Sequence, residues 1–237
     1  MDNFNIVLFL FDTMNLPAAP KTINELENRI NLMAGLTLGD VANELQVQIP
    51  DNFLAEKGWG GQLIEAYLGA TAGNLPEPDF QHIGVELKTI PIDLSGKPLE
   101  TTFVCVAPLT GETGTTWQTS TVYKKLHHVL WVPIISDKSI AIPNRQIAMP
   151  FLWQMTEQQE LVLQNDWQEL TDLIVFGDHH KITAKLGEAL QLRPKAADSQ
   201  VRTQAFDQAG EPTSAPPKGF YLRTSFTGEL LKQRFQL

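Results

Sequence analysis

The chain of 237 residues carries one cysteine, three tyrosines, and 18 lysines and arginines against 27 aspartates and glutamates. Each shortage excludes something. A lone cysteine, Cys105, cannot close an intrachain disulfide, so the fold is not a stapled secreted scaffold and a reducing, cytoplasmic compartment is expected. The formal charge of −9 argues against nucleic-acid binding through net attraction. It leaves open a local groove lined with Lys and Arg, because phosphate contacts depend on local potential. No apolar run approaches the roughly 20 residues that span a bilayer. The run Ile6 to Phe11 is preceded by Asp2 and by no Lys or Arg, so neither a signal peptide nor an anchor is expected, and no membrane partner. Residues 1–21 are expected to be a tail or an over-extended start, with Met14 as an alternative initiator. With only 15 Pro and 16 Gly, collagen-like and low-complexity readings are also out.

The remainder is a globular composition. At 43% hydrophobic residues, a chain of this length buries roughly three-quarters of its unfolded surface, enough for one large domain or two small lobes. Thr22-Ile23-Asn24-Glu25 has capping-box form and opens a helix through Leu26, Ile30 and Met33 to Gly35. A second helix is expected from Thr37, and a third from Trp59 to Leu68. Alternation from Ile83 to Asp93 predicts a strand, and the apolar runs Thr101 to Ala107 and His128 to Ile135 predict central strands buried on both faces. Thr156-Glu157-Gln158-Gln159 is a further capping box, opening a long helix to Gly177. After it the pattern predicts a helical segment near Ile182 to Leu186, a strand from Glu188 to Arg193, a surface loop from Ala196 to Pro217, a strand from Phe220 to Arg223 and a last helix from Thr227 to Phe235. The expected class is α/β (α+β), a mixed sheet flanked by helices.

The segment that carries chemistry is Pro78-Asp79-Phe80-Gln81-His82-Ile83-Gly84-Val85-Glu86-Leu87-Lys88. Period two puts Glu86 and Lys88 on one face of a strand, while Gly84 lets the preceding turn bring Asp79 back beside them. Two carboxylates alone at one point repel, and a divalent cation removes the conflict. Oxygen-only donors suit Mg²⁺, which takes one or two carboxylates and keeps waters for a substrate phosphate. Lys88 fits beside it as the group that orients or deprotonates the attacking water, and Glu65, on the preceding helix, as an outer or second-metal ligand. Taken alone, Glu-x-Lys also reads as a solvated charge pair and Pro-Asp as a turn.

The wider text decides between these. Lys57-Gly58-Trp59, Leu68-Gly69-Ala70-Thr71-Ala72-Gly73, Asp79-Phe80, Gly84 to Pro91, Pro98 to Val104, Val129-Leu130-Trp131, Arg193-Pro194-Lys195-Ala196-Ala197 and Gly219-Phe220-Tyr221-Leu222 together resemble the MutH family, the methyl-directed strand-nicking endonucleases of bacterial mismatch repair. The resemblance runs from about Thr22 to the C-terminus and leaves the tail outside. It implies a single endonuclease domain over 22–237, like the type II restriction endonucleases, in two lobes around a DNA cleft, with catalytic motifs about 57–107 and DNA-reading motifs about 188–223. It further implies Mg²⁺-dependent nicking of the unmethylated strand at hemimethylated GATC, stimulated by MutL and through it linked to MutS.

Residue by residue, Asp79, Glu86 and Lys88 match the family's catalytic triplet and Glu65 its additional acid. Asp79, Glu86 and the Leu87 backbone carbonyl are the implied metal ligands, with Glu65 as a further one. Lys57, Phe103, Lys125, Arg193, Pro194, Lys195 and Tyr221 are the implied DNA contacts. Arg193 offers guanine O6 and N7 a bidentate fork, stiffened by Pro194, and Tyr221 matches the position that senses adenine N6-methylation. Outside the resemblance, Arg193-Pro194-Lys195 reads as a basic turn and Tyr221 as a sheet residue. The chain departs from the family in being less basic around Tyr123 to His128 and in having Ala55-Glu56 before Lys57, which implies weaker or more MutL-dependent binding. One copy of the catalytic text favours a nicking monomer. The competing readings are a GATC restriction-type enzyme cutting both strands and a non-catalytic GATC-binding repair factor. His179-His180 is expected to be a solvated helix end, since no further His or Cys stands at ligand spacing.

Overall fold

A computed structural model describes residues 16–53, 58–73, 75–111, 114–196 and 200–236. The first 15 residues of the expected tail, and Lys57, lie outside the described residues. In chain order the elements are α1 (Ile23–Met33), α2 (Leu38–Glu44), α3 (Trp59–Leu68), β1 (Glu86–Ile92), β2 (Thr102–Ala107), α4 (Thr121–Leu126), β3 (His128–Ile135), β4 (Phe151–Gln154), α5 (Glu157–Val175), β5 (Leu190–Pro194), β6 (Thr203–Phe206), β7 (Pro212–Ala215), β8 (Lys218–Leu222) and α6 (Thr224–Phe235). They divide into two compact units, residues 1–99 with 129–153, and residues 100–128 with 154–237. No described helix is long and apolar enough to cross a membrane.

In the first unit the helices start where side chains can take up unpaired amide N–H groups. Thr22 accepts from Glu25 N at the head of α1. The Glu25 carboxylate, expected to complete the box on Thr22, turns instead to Lys21 N and to the Arg29 guanidinium. Thr37 and Asp40 form the reciprocal box at the head of α2. Leu26, Ile30 and Met33 of α1, Val41 of α2 and Leu63, Ile64 and Leu68 of α3 share one buried core with Val85, Leu87, Leu130, Val132 and Ile134. Strand β1 runs parallel to β3, with Glu86 opposite Val129 and Lys88 opposite Trp131, and β3 is the central strand in the order β1-β3-β4. Leu87 and Leu130 therefore face the helices, and Glu86, Lys88 and Trp131 share the other face of the sheet.

In the second unit β8 is central to an antiparallel sheet ordered β2-β8-β5. Leu163, Trp167, Leu170 and Ile174 make the buried stripe of α5, which packs on β5. The entry to β5 is clamped from two sides. The buried Asp166 carboxylate accepts from the backbone N of Glu188, Ala189 and Leu190 at 2.7–2.8 Å, and Arg223 donates to the carbonyls of Ala184, Leu186 and Gly187.

The α/β class holds, and among the described residues the strands form three small sheets. The expectation that β2 is central is wrong: it is an edge strand, and Val106 is 59% exposed. An apolar run shows burial tendency but not which strand it pairs with. The segment Ile182 to Leu186 is not helical: Leu186 N donates to Thr183 O to close a turn, and Arg223 takes the carbonyls of Ala184 and Leu186. The expected loop Ala196 to Pro217 contains the β6–β7 hairpin, whose turn is set by the Asp207 carboxylate accepting from Ala209 N and Glu211 N. His179 to Lys181 form one turn of 3-10 helix.

Candidate active site

The acidic group of the first unit is assembled around one peptide. Phe80 and Val85 bridge each other through both backbone bonds, which forces residues 81–84 into a tight reversal that ends on Gly84 at φ +65°. That reversal returns Asp79 to the start of β1, where its Oδ2 accepts from Leu87 N at 2.8 Å. One residue before, Glu86 accepts at Oε1 from Lys88 Nζ at 2.6 Å. Asp79 is 5% exposed and Glu86 3%. Asp79, Glu86, the Leu87 backbone and Lys88 are thus together, as the spacing requires.

Glu65 stands on α3, partly buried, and α3 packs against β1. Among the described residues, no three His, Cys, Asp or Glu side chains form a group able to hold a metal. The donor chemistry fits Mg²⁺: two buried carboxylates against one ammonium leave the group net negative, and a cation that prefers one or two carboxylates plus water and phosphate oxygens needs no full protein cage. Burial raises the stakes of each partner. Removing one side of a buried ion pair typically costs about 3–5 kcal/mol, although the intact pair itself is worth little.

The second group lies in the other unit. In the β2-β8-β5 sheet, Phe103 is opposite Tyr221, which is opposite Gln191, while Arg193 is opposite Gly219. The Phe103 and Tyr221 rings meet edge to face at 5.3 Å. Lys195 Nζ sits 3.9 Å from the Phe103 ring centroid and Arg193 Cζ 5.8 Å from that of Tyr221, so each cation lies on an aromatic face. Arg193 Nη1 also donates to Thr101 Oγ1 at 2.7 Å. Burial holds the Lys195 ammonium below the ordinary lysine range, and burial raises the Tyr221 phenol against the opposing pull of Arg193. Pro194 ends β5, and Lys195 N donates to Pro217 O, fixing the chain beyond it. Lys125 stands on α4, 7% exposed.

Two residues of this group escape sequence reasoning. Gly219 is one: a Cβ there would lie 2.9 Å from Phe103 Cε2 and 3.2 Å from Tyr221 Cε2, so any larger residue crowds the ring pair. Its only sequence signal is its place in the resembled block ending at Leu222. Thr101 is the other. A register shift between Phe103 and Cys105 leaves Val104 as a bulge in β2 beside these rings, a device that re-aims side chains at sheet edges.

A mixed α/β fold with, among the described residues, several small sheets and six helices, and with an acid–acid–lysine group at the head of a strand, is consistent with the restriction-endonuclease-like class. The comparisons narrow it. The family model described as DNA mismatch repair enzyme MutH matches residues 68–166. DNA mismatch repair protein MutH of Serratia proteamaculans is 50% identical over 220 residues, 93% of this chain and 96% of its own. The Enterobacter sp. protein of that name is 50% identical over 228 residues, 96% and 99% of the two chains, and that of Vibrio vulnificus is 48% identical over 216, 91% and 95%. The chain belongs to the MutH family.

Proposed function

We propose that this protein is a Mg²⁺-dependent DNA endonuclease that nicks the unmethylated strand at hemimethylated GATC sites in mismatch repair. The observation that carries this reading is the Asp79–Leu87 N and Glu86–Lys88 pairing at 2.8 and 2.6 Å, which puts two carboxylates and an ammonium at one peptide of a strand. Asp79, Glu86 and the Leu87 carbonyl would hold the cation, with Glu65 as an outer or second-metal ligand. When bound, Mg²⁺ would supply charge stabilisation at the scissile phosphate and a more acidic water. Lys88, fixed by Glu86, orients the attacking water. Arg193 takes guanine O6 and N7, Lys195 and Phe103 contact the duplex beside it, and Tyr221 meets adenine where N6-methylation adds bulk and removes a donor hydrogen. Lys57 and Lys125 serve the phosphates. The protein acts as a cytoplasmic monomer under MutL, and through MutL answers to MutS.

The test is cleavage of plasmid carrying one GATC site, unmethylated, hemimethylated or fully methylated, with Mg²⁺ and with or without MutL. Nicked circles, confined to the unmethylated strand and increased by MutL, are expected. Linear product without a nicked precursor would identify a restriction-type enzyme. Binding without cleavage in every condition would identify a recruiting factor.

A further inference from the structure

We infer that Thr101 is a positioning residue for recognition: its hydroxyl sets the plane of the Arg193 guanidinium before DNA arrives. The inference rests on the base-reading role proposed for Arg193 and deepens it. Arg193 is exposed at the end of β5, where a long side chain otherwise samples many rotamers, and freezing them on binding costs affinity. Two contacts remove that freedom. Thr101 Oγ1 accepts from Nη1 at 2.7 Å, and the Tyr221 ring lies against the guanidinium carbon at 5.8 Å. A hydrogen bond at one edge and the cation–ring contact together restrict the guanidinium more than either does alone.

The backbone leaves room for this arrangement. Arg193 is opposite Gly219 in the central strand, so no side chain rises from β8 at that position. Thr101 immediately precedes β2, the strand on the other side of β8, and is 92 residues away in sequence from its partner. The acceptor on Thr101 uses one hydrogen of the fork, leaving the others for base-edge acceptors. An exposed hydrogen bond of this kind contributes little to folding, because water replaces it readily. Its effect belongs on the recognition step, where a bidentate contact demands a defined plane.

The experiment measures nicking of unmethylated GATC duplex by the full chain with Mg²⁺, alongside the same duplex with 7-deazaguanine in the site, which lacks the N7 acceptor. Thr101→Val removes the acceptor with little change in shape and is expected to slow nicking of the natural duplex about 5- to 20-fold, with Tm unchanged. It should also lose less than the parent on 7-deazaguanine. Thr101→Ser restores the acceptor and should stay within about two-fold of the parent. On an Arg193→Ala background, Thr101→Val should add nothing. Thr101→Ala provides the same readouts if valine lowers Tm.

Two results overturn the inference while sparing the base-reading proposal: a Thr101→Val rate equal to the parent's although Arg193→Ala is slow, or losses that add in full in the double variant. If Arg193→Ala itself nicks both duplexes at the parent's rates, the base-reading role fails and the inference falls with it.

Discussion

The Asp79, Glu86 and Lys88 group and the Arg193, Lys195, Phe103 and Tyr221 group both hold charge in place, by opposite means. In the first, carboxylates 5% and 3% exposed are tied to a backbone N–H and to a lysine two residues away. In the second, more exposed cations at the end of β5 rest on aromatic faces drawn from two other strands, β2 and β8. A group that must stabilise charge on a reacting phosphate gains from fixed, desolvated dipoles that do not reorganise. A group that must read a base edge needs donors that leave one surface for another at small cost, and cation–aromatic contacts at exposed sites are worth only about 0.5–1 kcal/mol. Rigidity in one group and exchangeability in the other follow from burial and partner type.

The largest expected effect breaks the comparison on its rigid side. Asp79→Asn keeps an oxygen able to accept from Leu87 N, so the turn and Tm should survive, but it removes a negative charge from the proposed metal site. Nicking in Mg²⁺ should be abolished while GATC binding in Ca²⁺ stays within a few-fold, as measured by plasmid cleavage and by gel shift. Asp79→Ala differs in one respect: it strands the Leu87 N–H, adding a stability loss of about 1–3 kcal/mol. Nicking by Asp79→Asn at the parent's rate would remove the carboxylate from the reaction.

A smaller effect is expected on the adaptable side, and it separates the two aromatic contributions. Tyr221→Ser opens space beside the position proposed for adenine N6 and leaves Arg193 its bond to Thr101. The rate ratio between unmethylated and methylated target strands should narrow, while the rate on unmethylated DNA falls less than in Arg193→Ala. Gly219→Ala keeps both rings but pushes on Phe103 from 2.9 Å and Tyr221 from 3.2 Å, a crowding that costs about 1–3 kcal/mol. It should lower Tm and disturb discrimination together. An unchanged methylation ratio in Tyr221→Ser would place methyl sensing elsewhere.

The two groups also differ in how far the sequence discloses them. Glu86 and Lys88 are two residues apart on a strand, and Asp79 is returned by a reversal marked by Gly84, so local periodicity suffices to bring them together. Helix starts at Thr22, Thr37 and Thr156 are legible for the same reason, each being set by side chains within a few residues. The reading group has no local signature. Residues 101, 103, 193, 195, 219 and 221 meet only because β8 takes β2 on one side and β5 on the other, and strand order is decided by pairing across the whole unit. Arg193, Lys195 and Tyr221 are therefore legible through family resemblance alone, and Thr101, although inside the resembled block Pro98 to Val104, carries no sequence signal of its contact with Arg193. The misplacement of β2 as a central strand and of the β6–β7 hairpin as loop have the same origin, since burial and polarity do not specify partners.

The smallest expected effect sharpens the comparison through pH. Lys195 lies on the Phe103 ring, and partial burial there holds its pKa below the ordinary 10.5. It should therefore lose its proton at lower pH than exposed lysines, and DNA affinity should begin to fall there as pH rises. Stability moves the other way. Because the charged form is disfavoured in the folded state, the folded chain binds fewer protons than the unfolded one between the two pKa values, and the burial penalty is relieved as pH climbs through the folded value. Lys195→Arg stays charged throughout. It should shift the alkaline fall in affinity upward, with affinity near neutral pH changed by no more than about two- or three-fold and the salt dependence at high pH steepened by about one unit. Lys218 is also lowered by burial, so superimposable affinity profiles for the parent and Lys195→Arg would assign the alkaline transition to Lys218 and leave Lys195 without a charge-dependent part in binding.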